Sequence, residues 1–336
     1  MDFTILRLLA SMVVVFFAAS IFVNAIEYVA HKLRLGHSFV GAIIAPWFTS
    51  MPELTILLVA VLGVGQKAGE EVGIGTIFGQ PFMASSLSYG LVGIAALIGF
   101  LIGKRRTSSL AVDRTLGTPY ICTIIFFPLT IVPALITTSA FVRYAFGLMF
   151  LAAFLFYMRI MFQTKKGALV GEVGDCYFHK YAPRIFRTPL AAALAQIAAA
   201  AAVLYVGSAA MVTSVISLAE GFNLNPLALA LIVVPATTAI PETTSALIWG
   251  YRGRDTLSLG SLVGEKVLYS TVYPALGLFL TSWTLDRHAY YSVMATTAVS
   301  FILLVFILRR RIPWWGLCLG LFFFAAYATL IFTFRF

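Results

Sequence analysis

Two glutamates carry the chemistry that can be read first from this chain. Glu53 lies in P-W-F-T-S-M-P-E-L-T, Pro46–Thr55, and Glu242 lies in P-A-T-T-A-I-P-E-T-T, Pro235–Thr244. Each follows a pair of prolines that bracket hydroxyl-bearing residues, inside otherwise apolar sequence. A carboxylate within a membrane span is costly unless it has a partner or a task. Proline removes a backbone N–H and crowds the carbonyl one turn back, so a helix breaks there and leaves oxygens unpaired. Free carbonyls, hydroxyls and a carboxylate are the ligands that a hard cation such as Na⁺ or Ca²⁺ takes. Two such breaks point to one ion site shared between two halves.

The elements that must position these residues are membrane helices. The 336 residues are 61% hydrophobic and 11% charged, with a mean hydropathy of +0.97, which excludes a soluble globular protein. Long apolar runs exclude an outer-membrane barrel, whose strands alternate weakly. Cys122, Cys176 and Cys318 have no metal or redox spacing. The net charge of +10 sits in short loops and reads as membrane orientation rather than nucleic-acid binding. The N-terminal run lacks a basic leader and is long enough to span, so it is expected to be a helix rather than a signal peptide.

Apolar spans fall near 4–30, 38–64, 72–102, 117–136, 140–162, 190–219, 226–250, 257–282, 288–308 and 313–334. The third is overlong, and Pro81 is expected to kink or interrupt it. The polar stretch Gln163–Thr188 carries Lys165, Lys166, Lys180, Arg184 and Arg187 and reads as a cytoplasmic linker, 164–189. It divides a first half, 1–163, from a second, 190–336. One set of alternate loops holds 17 Lys and Arg and the other 5, with Lys266 inside a helix. The basic side is therefore cytoplasmic, with both termini outside.

With five helices in each half, homologous halves must be inverted. Pro46, Thr49, Pro52, Glu53 and Thr55 recur 189 residues later as Pro235, Thr238, Pro241, Glu242 and Thr244. Glu70, Gly75 and Gly79 recur 185 residues later as Asp255, Gly260 and Gly264, and Thr76 is matched by Ser261. The expected fold class is all-α: a polytopic membrane protein with ten transmembrane helices, arranged as two inverted five-helix repeats with broken helices at the midplane.

These segments resemble the calcium/cation antiporter superfamily, which includes the sodium/calcium and the proton/calcium exchangers. The family's alpha repeats carry a G-T-S-L-P-E-like core and then an L-G-N-x-x-G-S-N-like segment. The cores here read F-T-S-M-P-E (Phe48–Glu53) and T-T-A-I-P-E (Thr237–Glu242). The following segments read I-G-T-I-F-G-Q-P (Ile74–Pro81) and L-G-S-L-V-G-E-K (Leu259–Lys266), placing alpha repeats at about 38–102 and 226–282. The resemblance implies that Glu53 and Glu242 bind the transported cations, with oxygens from Thr49, Ser50, Thr237 and Thr238. It implies a secondary active antiporter of the cell membrane that exchanges a divalent cation, Ca²⁺ foremost, for Na⁺ or H⁺ by alternating access. No cofactor and no nucleic-acid partner is implied, and the oligomeric state is left open.

The chain departs from the family where Pro81 and Lys266 end the second segments. Lys266 lies about 15 Å deep, at 1.5 Å per residue from the cytoplasmic loop, too far to snorkel. It is expected to pair with Glu242, since Glu265 should point to a different helix face. Lys266 either braces two helices or replaces one bound cation. That leaves a proton-coupled or other-cation exchanger as an alternative, and a non-transporting scaffold or sensor as another. Gln80 and Glu265 occupy matched positions and are further candidates for the cavity, with Thr76 and Ser261 beside them. Ser50-Met51-Pro52-Glu53 also fits a helix-capping box, but Ala239 replaces Ser50 in the second copy while Glu242 stays. Glu70, Glu71 and Asp255 are expected to be solvated. An enzyme using Glu53 and Glu242 as acid and base lacks a nucleophile or metal-ligand pattern.

Overall fold

Without water, an apolar chain can satisfy its backbone only by bonding within itself, and a helix does so segment by segment. The computed structural model describes residues 2–32, 47, 49–65, 67–136, 139–163, 175–183, 185 and 188–334. Pro46 and Phe48 of the first repeat copy, and Lys165, Lys166, Arg184 and Arg187 of the linker, lie outside the described residues. The first half contributes α1 (Asp2–Lys32), α2 (Met51–Leu58), α3 (Lys67–Met83), α4 (Tyr89–Leu101), α5 (Gly117–Leu129) and α6 (Ala140–Gln163). The second contributes α7 (Pro189–Phe222), α8 (Pro226–Thr238), α9 (Ile240–Tyr251), α10 (Asp255–Ser270), α11 (Val272–Leu280), α12 (Arg287–Leu308) and α13 (Trp314–Phe334). A two-residue antiparallel pair, β1 (Leu110–Ala111) with β2 (Arg311–Ile312), ties two connections together.

Among the described residues, seven stretches are long and apolar enough to cross a membrane, and the α8–α9 pair, bent by 61°, makes eight. The expected segments near 38–64 and 257–282 are present as shorter helices: Met51–Val64, and α10 with α11, which part at Thr271. Pro81 does not interrupt its span, which runs unbroken over Lys67–Leu101. The helix widens into a π turn over Ala84–Ser88 just beyond the proline.

The two copies of the decapeptide turn at the same place. Ser50 and Ala239 are matched positions, with φ/ψ of −90°/6° and −79°/−5°. Each precedes a helix with proline at its start and glutamate in its first turn. In the second copy the break belongs to Pro241, because Pro235 sits inside α8. Ser50 makes no side-chain cap; its hydroxyl donates to the Trp47 carbonyl at 3.3 Å. Glu53 is thus not half of a capping box.

The helices pair as related halves would. α1 packs on α7, and α5 on α12. α4 packs on α13 as α11 packs on α6, and α3 packs on α12 as α10 packs on α5. One close approach is α3 on α8. A Cβ built at Gly75 would lie 2.7 Å from the Leu227 carbonyl oxygen, and one at Gly79 would lie 2.7 Å from that of Leu231. Only glycine lets the backbones meet this closely. The matched Gly260 has ordinary room, its nearest neighbour being Leu116 at 3.7 Å.

The acids expected to be solvated prove to be structural in two cases. Asp255 is 8% exposed, pairs with Arg105 at 3.1 Å and accepts the Ala111 N–H at 2.7 Å. Arg105, also buried, donates to the Gly250 and Ser109 carbonyls at 2.6 and 2.9 Å. Glu70, at the repeat position matching Asp255, accepts the Ser282 N–H and hydroxyl at 2.9 and 2.6 Å. Each acid opens a helix of one half and holds a connection of the other. Facing loops supply the donors, which a hydropathy pattern does not reveal.

The two matched acids should differ in what they contribute. Asp255→Ala strands a buried guanidinium and is expected to cost roughly 3–5 kcal/mol, read as a lower Tm of the detergent-solubilised protein. Glu70→Ala, at a half-buried site, is expected to cost about 1 kcal/mol or less. In the same assay Gly79→Val should lower Tm well beyond Gly260→Ala, since only Gly79 abuts a neighbouring backbone.

Candidate functional site

Three carboxyl groups from three helices meet at the two breaks. Glu53 and Glu242 stand in the first turns of α2 and α9, where the positive end of the helix dipole favours negative charge. Glu265 lies one turn before the end of α10. Glu53 is 1% exposed, and its Oε2 has no hydrogen-bond partner. Its polar neighbours are Glu265, Thr238 and Tyr269. Glu242 lies beside Glu265, with Thr49 within reach. Glu265 is the hub: its Oε1 accepts from the Thr49 hydroxyl and its Oε2 from Gln80 Nε2 at 3.5 Å. Residues 49 and 265, on opposite halves, are thereby joined directly.

A cavity of about 10 Å³, room for a single water-sized occupant, opens beside this cluster. Gln80, Ser88, Glu242, Glu265, Lys266 and Tyr269 supply its polar lining. Ser88, in the π turn, shares a 2.8 Å hydrogen bond with Thr243 of α9. The widening after Pro81 therefore meets the helix that carries Glu242.

The other expected ligands divide. Thr49 and Thr238 reach the carboxyl cluster, and Gln80 and Glu265 line the cavity with Glu242. Ser50 is buried at the break and contributes its carbonyl, which accepts from the Tyr273 hydroxyl. Thr237 turns toward α7, donating to the Val233 carbonyl at 3.0 Å with Met211 Sδ at 3.8 Å. Thr76 and Ser261 donate to carbonyls of their own helices, those of Val72 and Ser258. These last three do not line the cavity.

Lys266 departs from its expected pairing. Among the described residues no carboxylate lies within 4.0 Å of it, the ion pairs being Lys67–Glu71 and Arg105–Asp255. Nζ instead donates to Ser300 Oγ at 3.3 Å and sits 4.7 Å and 5.3 Å from the ring centroids of Tyr89 and Tyr120. Glu265, next in sequence, is the residue that joins the acid cluster. Lys266 looks instead toward α4, α5 and α12.

Four tyrosines were not singled out by motif. Tyr269 and Tyr273 stack at 4.3 Å beside Glu53 and the Ser50 carbonyl. Tyr89 and Tyr120 form the platform for Lys266. The i, i+4 spacing of Glu265, Tyr269 and Tyr273 was the available signal, since it puts polar-tipped rings in line with a buried acid.

All donors here are oxygens, with Glu53 Oε2, Gln80 Oε1 and the Tyr269 hydroxyl buried and unpartnered. Such a set suits a hard cation taken as cargo rather than a soft resident metal. Among the described residues no three His, Cys, Asp or Glu side chains already stand as a metal cage. The carboxyl groups are turned toward one another, Thr49 and Gln80.

Comparison with known proteins gives the arrangement a family. The profile of the sodium/calcium exchanger protein family matches residues 3–163 and 192–334. A relative from Alkalimonas amylolytica named as the antiporter CaxA is 22% identical over 335 residues, 97% of each chain. The fold matches a crystal structure of the H⁺/Ca²⁺ exchanger CAX with a TM-score of 0.72 at 16% identity, covering 98% of this chain and 82% of that one. It matches the sodium–calcium exchanger NCX_Mj with a TM-score of 0.60 at 17% identity, covering 98% of both chains. With the family profile spanning both halves, this chain belongs to the sodium/calcium exchanger protein family.

Proposed function

We propose that the chain is a secondary active antiporter that exchanges a divalent cation, Ca²⁺ foremost, for Na⁺ or H⁺. Residues 1–163 and 190–336 would form inverted halves joined by the 164–189 linker, with the basic loops and linker cytoplasmic and both termini outside. Glu53 and Glu242, one from each half, would hold the cation near the midplane with Glu265, Thr49 and Thr238. Rocking of the halves about the breaks would expose it to each side in turn.

One observation carries this reading: matched glutamates 189 residues apart meet a third carboxyl group beside a buried, oxygen-lined cavity. Exchange follows from the cost of leaving such a cluster bare. Carboxylates without compensation in the membrane hold the carrier back, whereas a bound cation or protons let it reorient. Proton coupling has support in the nearness of Glu242 to Glu265: two adjacent carboxylates repel, and a proton on either would relieve that repulsion until a divalent cation took its place.

Reconstituted in vesicles, the wild-type protein is expected to move Ca²⁺ when an opposing Na⁺ or H⁺ gradient is the sole energy source. Glu53→Gln and Glu242→Gln should each lower the initial rate at least about tenfold, a loss of roughly 1.4 kcal/mol of cation stabilisation. Normal flux in both variants would show that the cation binds elsewhere. Thr49→Val removes a donor to Glu265 and should alter the apparent Ca²⁺ affinity more than the protein yield, checked by flux across a Ca²⁺ series.

A further inference from the structure

Lys266 is the single basic side chain lining the cavity, and its surroundings are those of a held cation. It is 1% exposed. The Tyr89 and Tyr120 hydroxyls share a 2.7 Å hydrogen bond, which fixes both rings beneath the ammonium group, while Ser300 offers an oxygen. Aromatic faces attract an ammonium by about 2 kcal/mol when water is excluded. Lys266 makes no ion pair among the described residues, so it occupies none of the cluster's oxygens.

We infer that Lys266 is a resident positive charge of the transport site, limiting the cargo to two positive charges and making exchange electroneutral. The inference rests on the antiporter reading above and adds the charge balance to it. Glu53, Glu242 and Glu265 carry three negative charges when ionised, and Lys266 offsets one. Glu242, Glu265 and Lys266 are the charged side chains that line the cavity, and Glu53 stands next to Glu265. The remaining two negative charges are balanced by one divalent cation or by two monovalent ones. A charge left over in the middle of the bilayer costs several kcal/mol, so the carrier reorients when that balance is met. Without Lys266, three positive charges would be required, and one divalent cation would exchange for three monovalent ones.

A lysine that merely braces α10 against α4, α5 and α12 would affect stability without altering the charge moved per cycle. The two roles separate in proteoliposomes whose membrane potential is clamped with K⁺ and valinomycin, reading the equilibrium Ca²⁺ accumulation ratio. For the wild type, the ratio is expected to stay constant as the potential changes. For Lys266→Met it should shift about 50-fold per 100 mV, the equivalent of one net charge. Glu265→Gln in the Lys266→Met background returns the balance to two and should return the ratio to voltage independence.

A voltage-dependent wild-type ratio overturns the inference without any variant, so misfolding of Lys266→Met does not protect it. A voltage-independent ratio in an actively exchanging Lys266→Met overturns it as well. Absence of Ca²⁺ exchange by the wild type under every Na⁺, K⁺ and H⁺ gradient overturns the antiporter reading itself, and this inference falls with it.

Discussion

Clustered carboxyl groups between membrane-crossing helices are tolerable only while something balances their charge, and the rest of this structure is arranged around that constraint. Glu53, Glu242 and Glu265 reach a common point from α2, α9 and α10. Two of them sit at helix starts, where the dipole offsets part of the cost. Thr49 and Gln80 donate hydrogen bonds to Glu265, yet Glu53 Oε2 stays unmatched. Partial satisfaction suits a transport site better than a structural one. A fully bonded cluster would have no use for a cation, and a wholly bare one would not fold.

Placing those acids depends on breaks that occur at the same point in each half. Ser50 and Ala239 share a backbone conformation although their side chains differ. The turn is therefore a property of the proline that follows, not of a cap. Close packing then holds the two halves around the site. Gly75 and Gly79 bring α3 against α8, the α3 span carrying Gln80 and α8 leading into the break before Glu242. Away from the cavity, Asp255 with Arg105 and Glu70 with Ser282 bind connections across the halves. The same repeat position serves the same purpose twice, with a buried ion pair in one case and a half-buried hydrogen bond in the other.

Lys266 and the tyrosines separate this chain from a simple carboxylate site. The ammonium sits on the far side of α10 from a direct ion pair, over Tyr89 and Tyr120. Tyr269 and Tyr273 occupy the opposite flank, near Glu53 and the Ser50 carbonyl. Adjacent residues 265 and 266 thus place a negative and a positive group in one small cavity without neutralising each other directly.

The sequence by itself determined the class, the family resemblance and the two central acids. Hydropathy over long windows and a repeated Pro-Glu core are local properties, legible without knowing what lies next to what. It also pointed to Gln80 and Glu265 through the 185-residue match. Tertiary structure alone decided which hydroxyls serve the site. Thr49 and Thr238 are matched repeat positions, yet one donates to Glu265 and the other to the Val234 carbonyl of its own helix. Only the fold showed that Lys266 rests on aromatic rings instead of Glu242 and that Asp255 is buried with Arg105. In both cases the deciding partner belongs to another element, more than a hundred residues away. Periodicity says which face a side chain occupies but not what stands opposite it.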